Sequence, residues 1–507
     1  MTTADEGRES RGFSAGLKRL TRHSSVYALG AAANKGVGFL LIPLVTAYIG
    51  TTANYGVKEI AETTLAIAAQ VLGINLLHGM TRFYKDYPDE ADRRKLVSTS
   101  AILLALSTGA AMLVGVLWAP TLAGWLFGSP DYADAMRAVV AILFFQCMAQ
   151  VGLRYLQILE RSQQYVVIQF TKLLLEVGLK VFFLVALSMT YMGVILPVLV
   201  GEGILGLGAL GFILWKSRAA FSKAMAKRLL VYSSPLVVSG LAMFALHQAD
   251  RYFLVRYRGL DDVGLYALAY KLGMMVNALL LDSFALIWWP FVFGLADDRK
   301  VAFMIRKISS YFAFGAVFVS LGFALFSYEL VYFMADEKFR SAYAIVPVVL
   351  LAYVFWAAYQ LASTALYLKE RTGLLSVLAV VAALANMGLN FLWVPEHGVE
   401  GAAWATVAAF GLLALATWRC AEGVFPVRFE LMRVVSPVSL GLGLYLLGHF
   451  VIPDGTLAWN LACKAALWVA MPLILFCCGY FTAEERGRGF AFLQRRLRRI
   501  LSLIRGH

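Results

Sequence analysis

Charge is scarce in this chain of 507 residues: 15% are Asp, Glu, Lys or Arg, whereas 60% are hydrophobic. Soluble domains average roughly 25% charged and about 45–50% apolar residues. A bilayer core requires about 20 apolar residues per helical span, and such runs follow one another almost end to end. Because the runs are unbroken, they lack the alternation of a transmembrane barrel and predict a polytopic α-helical membrane protein.

Residues that hold metals or nucleotides are also few. The five cysteines and six histidines are scattered, and no His-x-x-x-His occurs. The adjacent Cys477 and Cys478 suit neither a zinc site nor an ordinary disulfide. Gly-Lys never occurs, which argues against a Walker-type phosphate loop and ATP hydrolysis. We therefore expect no enzyme activity, catalytic residue, metal site or bound cofactor, and we expect a proton or sodium gradient to supply energy.

Windows of about 20 residues predict an all-α fold with about 14 transmembrane helices. Two six-helix lobes are followed by two C-terminal helices. The predicted organisation is a basic cytoplasmic N-terminus over 1–23, an N-lobe of helices 1–6 over 24–214, a basic cytoplasmic linker over 215–229, a C-lobe of helices 7–12 over 230–420, helices 13–14 over 421–482, and an amphipathic basic cytoplasmic tail over 483–507.

The 45 Lys and Arg residues are distributed unevenly between the two sides that these spans define. Most lie on the side of the termini, and the opposite flanks hold only Arg256, Arg258, Lys338 and Arg340. The positive-inside rule then places both termini in the cytoplasm. The tail has apolar residues at helical spacing and arginines on its other face, so we expect it to bind anionic lipid. The net charge of +14 is explained by topology and does not indicate nucleic acid.

An internal repeat relates the two predicted lobes. The segment YIGTTANYGVKEIAE from Tyr48 aligns with YRGLDDVGLYALAYK from Tyr257 after a one-residue gap. Gly50 then matches Gly259, and Gly56 matches Gly264. Each segment joins the first two spans of a lobe by a short turn. Parallel repeats of this kind are typical of transporters whose two lobes rock around a shared binding site.

Two longer segments carry a resemblance to a known family. They are SSPLVVSGLAMFALHQADRYFLVRYRGLDDVGLYALAYKLG over 233–273 and ANMGLNFLWVPEHGVEGAAWATVAA over 385–409. The sequence resembles bacterial polysaccharide flippases of the O-antigen type. The resemblance implies membership of the multidrug/oligosaccharidyl-lipid/polysaccharide exporter superfamily, with twelve core helices in two lobes and two helices after them.

The resemblance also implies a function. The expected cargo is an undecaprenyl-pyrophosphate-linked oligosaccharide, moved from the cytoplasmic to the periplasmic leaflet of the bacterial inner membrane by alternating access. A polysaccharide polymerase and glycosyltransferases are further expected partners. A lipid II flippase and a drug/cation antiporter of the same superfamily are alternatives. A membrane-embedded glycosyltransferase is a third, although the sequence shows no large outer loop or catalytic carboxylate motif.

Ionisable residues inside apolar spans are costly and usually face a bundle interior or a hydrated cavity. Here they lean towards positive charge, which suits an anionic pyrophosphate and not a cationic drug. The predicted substrate-binding residues are Lys35, Asn34, Lys172, Lys180, Arg251 and Lys271. The candidates for carrying a coupling ion are Glu62, Glu176, Asp250 and Asp282.

Structural interpretations compete with these roles. The spacing of Lys172, Glu176 and Lys180 also permits a self-paired stripe on one helix. Adjacent Asp250 and Arg251 also permit a structural pair at a helix end. Lys271 and Asp282, eleven residues apart, are expected on one face of a helix. Tyr266 and Tyr270 are typical of an interfacial aromatic belt.

Overall fold

The computed structural model describes residues 36–73, 75–293, 298–425, 430–452 and 456–481. Within these ranges the chain is helical and contains no β-strand, which confirms the predicted all-α class. The helices are α1 Gly36–Tyr48, α2 Thr52–Leu72, α3 Leu76–Phe83, α4 Glu90–Leu117, α5 Ala119–Leu126, α6 Ala133–Ile158, α7 Ser162–Val181, α8 Met192–Ser217, α9 Lys223–Gln248, α10 Asp250–Tyr257, α11 Leu260–Val276, α12 Asp282–Phe293, α13 Asp298–Leu325, α14 Ser327–Met334, α15 Val346–Leu368, α16 Thr372–Val424, α17 Leu431–Val451 and α18 Leu457–Cys477.

The helix ends follow local sequence signals. The side chain of Thr51 accepts a hydrogen bond from the backbone N–H of Asn54, which caps the start of α2. Gly73 has φ of +131° and ends the same helix, because a residue with a side chain rarely adopts that conformation. Ser222 and Thr456 cap α9 and α18 in the same way as Thr51.

Ten helices in the described ranges are long and apolar enough to cross a membrane, and eleven if α2 and α3, bent by 48°, form one span. The chain is therefore a multi-pass membrane protein. The predicted number of fourteen stays a prediction. Helix α7 falls outside the ten because it carries Lys172, Glu176, Lys180 and several other polar residues, and α1 is short.

Two predicted spans join in α16, which has 53 residues. Its helical backbone is interrupted at Gly398, with φ of +55° and ψ of −129°, three residues after Pro395. Proline removes a backbone donor and glycine permits the left-handed region, so this pair explains the break. The break lies within the segment 385–409 that carries the second resemblance.

The described residues group into two compact units. The first comprises the chain up to Lys271 together with Val331–Ile345 and Ser376–Ala409. The second comprises Leu272–Leu330, Val346–Leu375 and the chain from Phe410. The lobe boundaries expected from the sequence stay a prediction. The N-terminal segment 1–23 and the tail 483–507 lie outside the described residues.

Small residues control the packing of the first unit, in which α6 lies along both α4 and α8. A side chain at Gly206 of α8 would meet the carbonyl oxygen of Phe145 on α6 at 2.3 Å, and one at Gly152 would meet Ala209 at 2.7 Å. Helices in membranes associate through such close approaches of small residues. In the second unit, α13 packs on α15, α17 and α18 around Leu321 and Met471.

The repeat predicted from the sequence coincides with a reciprocal helix crossing inside the first unit. A Cβ at Gly56 of α2 would lie 2.1 Å from the carbonyl oxygen of Leu260 on α11. A Cβ at Gly264 would lie 2.1 Å from the carbonyl oxygen of Thr52. The aligned glycines thus exchange equivalent contacts, as residues do across a two-fold axis. Their turns match as well: Gly50 and Gly259 have φ of +90° and +96°.

The crossing predicts which glycines tolerate a side chain. Replacing Gly56 or Gly264 with alanine should destabilise the protein by about 1–3 kcal/mol, since the added methyl group meets fixed backbone. Gly211 on α8 is the matched control, because a Cβ there meets no atom within 4 Å. Thermal unfolding of the purified variants in detergent measures the difference. Equal midpoints for Gly56→Ala and Gly211→Ala would contradict the crossing.

Candidate functional site

Arg251 is the centre of a buried group of charges. Its guanidinium is 2% exposed; Nε donates to Glu59 Oε1 at 3.0 Å, and a terminal nitrogen lies 3.3 Å from Asp250 Oδ1. The hydroxyl of Tyr266 donates to the other carboxylate oxygen of Asp250. These bonds join α2, α10 and α11. Arg251 is therefore held by two carboxylates, which is the contact that the structural interpretation of Asp250 and Arg251 requires. The binding role of Arg251 and the ion-carrying role of Asp250 stay predictions.

Lys58, one residue before Glu59, extends this group along α2. Its ammonium lies 2.6 Å from Glu62 Oε2 and 3.3 Å from Glu59 Oε2, and it is 5.2 Å from the ring centre of Tyr55. The side chain of Lys58 is 5% exposed, whereas that of Glu62 is 54% exposed. Glu62 is thus the exposed carboxylate of this part of the group.

Lys172 forms a second ion-paired group between α7 and α8. Its ammonium bonds Glu202 Oε1 and lies 3.5 Å from Glu176 Oε1. The side chain of Glu202 is 4% exposed, that of Glu176 is 13% exposed, and that of Lys172 is 20% exposed. The self-paired stripe considered from the sequence is present for Lys172 and Glu176, but the shortest bond of Lys172 goes to a different helix.

Lys180 and Lys271 differ from the other buried cations, and we call them the open lysine pair. Both are half-buried, and neither has a carboxylate within 4.0 Å among the described residues. Lys271 lies 5.3 Å from the ring centre of Tyr55, which it shares with Lys58. Lys180 is within electrostatic range of both Lys271 and Glu62. The two ammonium groups are therefore available to an anion.

These side chains form one connected network, which we call the ion cluster. Its cations are Lys58, Lys172, Lys180, Arg251 and Lys271, and its carboxylates are Glu59, Glu62, Glu176, Glu202 and Asp250. The formal charges cancel, so the described cluster lacks the positive excess expected from the sequence. Two carboxylates account for the difference. Glu59 and Glu202 were not among the residues predicted for the site, and Glu202 bonds Lys172.

Asp282 belongs to the second unit and begins α12. Asn277 donates to its carboxylate at 3.4 Å. The π-helical turn Asn277–Leu281 lies between Lys271 and Asp282. The helix between them is therefore not a regular α-helix, and the expectation that these two residues share a face stays a prediction.

The predictions for Lys35 and Asn34 and for Tyr266 and Tyr270 have different outcomes. Lys35 and Asn34 lie outside the described residues, so their binding role stays a prediction. Tyr266 and Tyr270 were expected in an interfacial belt, but they are 0% and 2% exposed and their rings flank Arg251.

A family of proteins described as polysaccharide biosynthesis proteins matches residues 20–294 of the chain. The fold is similar to that of the lipid II flippase MurJ in an inward-closed conformation, with a TM-score of 0.74, 13% identity, and coverage of 89% of this chain and 98% of that one. It is also similar to an inward-facing multidrug resistance MATE family transporter of the MOP superfamily, with a TM-score of 0.59, 16% identity, and coverage of 81% and 96%. No curated protein matches the sequence.

The bonds of Arg251 predict a large difference between buried and exposed ion pairs. Replacing Arg251 with methionine leaves Glu59 and Asp250 without their cation and should cost about 3–5 kcal/mol of stability. The matched control is Arg137→Met on α6, whose partner Asp134 is 72% exposed, and its expected effect is below about 1 kcal/mol. Thermal unfolding in detergent distinguishes them. Similar small losses in both variants would refute the structural role of Arg251.

Proposed function

The chain belongs to the polysaccharide biosynthesis protein family, and from this premise we propose that it is a flippase for a lipid-linked glycan. The proposed cargo is an undecaprenyl-pyrophosphate-linked oligosaccharide. The proposed movement is from the cytoplasmic to the periplasmic leaflet of the bacterial inner membrane, with both termini in the cytoplasm. The observation that carries the proposal is the open lysine pair, two half-buried ammonium groups without a carboxylate partner.

The pyrophosphate supplies the charge that this pair lacks. Two unit charges about 4 Å apart attract by roughly 4 kcal/mol at an effective dielectric constant of about 20. Hydrogen bonds to charged groups are also stronger than neutral ones. The ring of Tyr55 connects Lys271 to the rest of the ion cluster, because the ammonium groups of Lys58 and Lys271 lie 5.2 and 5.3 Å from its centre. The glycan itself contributes hydroxyl groups and little charge.

In alternating access, a helix contact that closes one side of the binding site must separate during transport. The crossing of α2 and α11 at Gly56 and Gly264 is the proposed closure. Lys271 follows Gly264 by seven residues, which is about 10 Å along a helix. Lys271 therefore lies about two helical turns from the crossing, and we propose that separation of the two helices exposes it on that side.

The alternative cargoes differ in charge or in glycan. A drug/cation antiporter needs carboxylates that face its cargo, whereas the described groups without an ion-pair partner at this site are lysines. A lipid II flippase needs the same pyrophosphate chemistry, so the ion cluster supports it equally. We favour the polysaccharide precursor because the family match concerns polysaccharide biosynthesis. We further propose that an ion gradient drives transport, and that the half-exposed Glu62 carries the ion.

The lysine pair predicts a loss of anion binding. Replacing Lys180 or Lys271 with alanine should weaken binding of undecaprenyl pyrophosphate in detergent by roughly tenfold to a hundredfold, since each charged hydrogen bond contributes about 1.5–3 kcal/mol. Surface polysaccharide in a strain without the gene should fall in parallel. The conservative Lys271→Arg should retain most of the binding.

The control is Lys227→Ala, since Lys227 is exposed on α9 and lies outside the ion cluster. A second control ligand is undecaprenol, which keeps the chain and lacks the pyrophosphate. Wild-type affinity in both alanine variants would remove the lysine pair from the function. Equal affinity for the two ligands would exclude recognition of the pyrophosphate.

A further inference from the structure

The group around Lys172 contains more carboxylates than cations. One ammonium lies between Glu202, which it bonds, and Glu176, at 3.5 Å. The two carboxylates come from neighbouring helices, α8 and α7. Gly201 permits this arrangement, because a Cβ there would lie 2.8 Å from Glu176 Oε1. The glycine next to Glu202 therefore allows the carboxylate of Glu176 to lie against α8, where both carboxylates reach Lys172.

Two carboxylate oxygens of this group are buried and have no hydrogen-bond partner among the described residues: Glu202 Oε2 and Glu176 Oε1. Glu202 is 3% exposed. A bare carboxylate oxygen in a low-dielectric interior is strongly unfavourable. A protonated oxygen in the same place carries no charge and can donate a hydrogen bond. A proton on one of the two carboxylates would therefore stabilise the group.

We propose that Glu176 and Glu202 together bind one proton across Lys172. A proton from water adds to one carboxylate oxygen, and no other bond changes. Two carboxylates and one ammonium carry a net charge of −1, whereas the protonated group is neutral. Carboxylates that share a buried site commonly hold one proton between them for this reason.

Lys172, the cation of this group, borders a cavity whose lining is mainly apolar. This cavity of about 490 Å³ in the first unit is lined by Lys172 and Gly201 at one end and by Phe212 and Tyr155 at the other. Gly201 and Phe212 are eleven residues apart on α8, which corresponds to about 16 Å. The ammonium of Lys216 lies 5.6 Å from the Phe212 ring and 5.9 Å from the Tyr155 ring, so the far end of the cavity reaches a charged helix end.

The charged and titratable groups around the pair come from three helices. On α7, Lys180 follows Glu176 by one turn and acts on it electrostatically. On α6, the thiol of Cys147 lies near Glu202. On α2, Glu62 and Lys58 act on Lys180. Lys180 therefore links the two groups, because it belongs to the open lysine pair and also acts electrostatically on Glu176.

This connection has a consequence that rests on the proposed function. An anion bound at Lys180 offsets the positive potential that favours an ionised Glu176. The anion should therefore promote proton binding at the pair, and by thermodynamic linkage the proton should promote anion binding by the same factor.

Infrared difference spectroscopy of the full-length protein in detergent tests the proton site. The wild type should show the carbonyl stretch of one buried protonated carboxyl group at neutral pH. Glu176→Gln and Glu202→Gln should each lose this carbonyl band, because the one carboxylate that remains is then neutralised by the ammonium of Lys172. A wild type without the band, or a band that survives in either variant, overturns the proposal.

Glu329→Gln is the matched control. Glu329 is also a buried carboxylate with an oxygen that has no hydrogen-bond partner among the described residues, but it has its own cation, Lys464, at 2.6 Å. This variant should keep the band. Lys172→Gln tests the charge count without altering either carboxylate: removal of the ammonium should double the band area, and an unchanged area contradicts the proposal. Size-exclusion chromatography verifies that each variant is folded.

The coupling is tested with inorganic pyrophosphate. Its addition should shift loss of the band to higher pH in the wild type and should have no effect in Lys180→Ala. A band that does not shift overturns the linkage and leaves the proton site in place. Failure of undecaprenyl pyrophosphate to bind, with the band behaving as expected, would overturn the proposed cargo and not the proton site.

Discussion

A buried charge in a membrane protein must be compensated inside the protein, and Arg251 shows what this requirement imposes. Its guanidinium is almost fully enclosed, so Glu59 and Asp250 must lie within hydrogen-bond distance. Glu59 belongs to α2, whereas Asp250 begins α10. One cation therefore fixes two helices that are distant in sequence. Asp250 in turn orients Tyr266, which brings α11 into the same arrangement.

The glycine crossing makes this arrangement possible. Gly56 precedes Glu59 by three residues, and Gly264 precedes Tyr266 by two. Because α2 and α11 approach to backbone contact at the glycines, both side chains reach the same guanidinium. Larger residues at the crossing would separate the helices and leave Arg251 without one of its partners. The sequence repeat and the buried ion pairs are thus two aspects of the same helix contact.

The sequence predicted the helical class, the repeat and most members of the ion cluster, because each has a local signal. Apolar runs indicate spans, and aligned glycines indicate a repeated turn. The pairing of charges could not be predicted, since partners such as Arg251 and Glu59 are 192 residues apart. The π-helical turn between Lys271 and Asp282 could not be predicted, because such a turn leaves no recognisable sequence pattern. The burial of Tyr266 was missed because an isolated tyrosine near a helix end is equally typical of the membrane interface.

The distribution of charge within the ion cluster matters more than its sum. A cluster with a large positive excess would be costly to bury when empty. Here the carboxylates that exceed their cations lie beside Arg251 and Lys172, whereas Lys180 and Lys271 are half-buried and have no carboxylate within 4.0 Å among the described residues. With every group ionised, the cluster is neutral as a whole and still presents positive charge to an incoming anion. The same separation leaves a negative excess at Glu176 and Glu202, the position at which a proton is most favourable. An anion and a proton therefore meet complementary halves of one balanced network, which is the electrostatic requirement for coupling their binding.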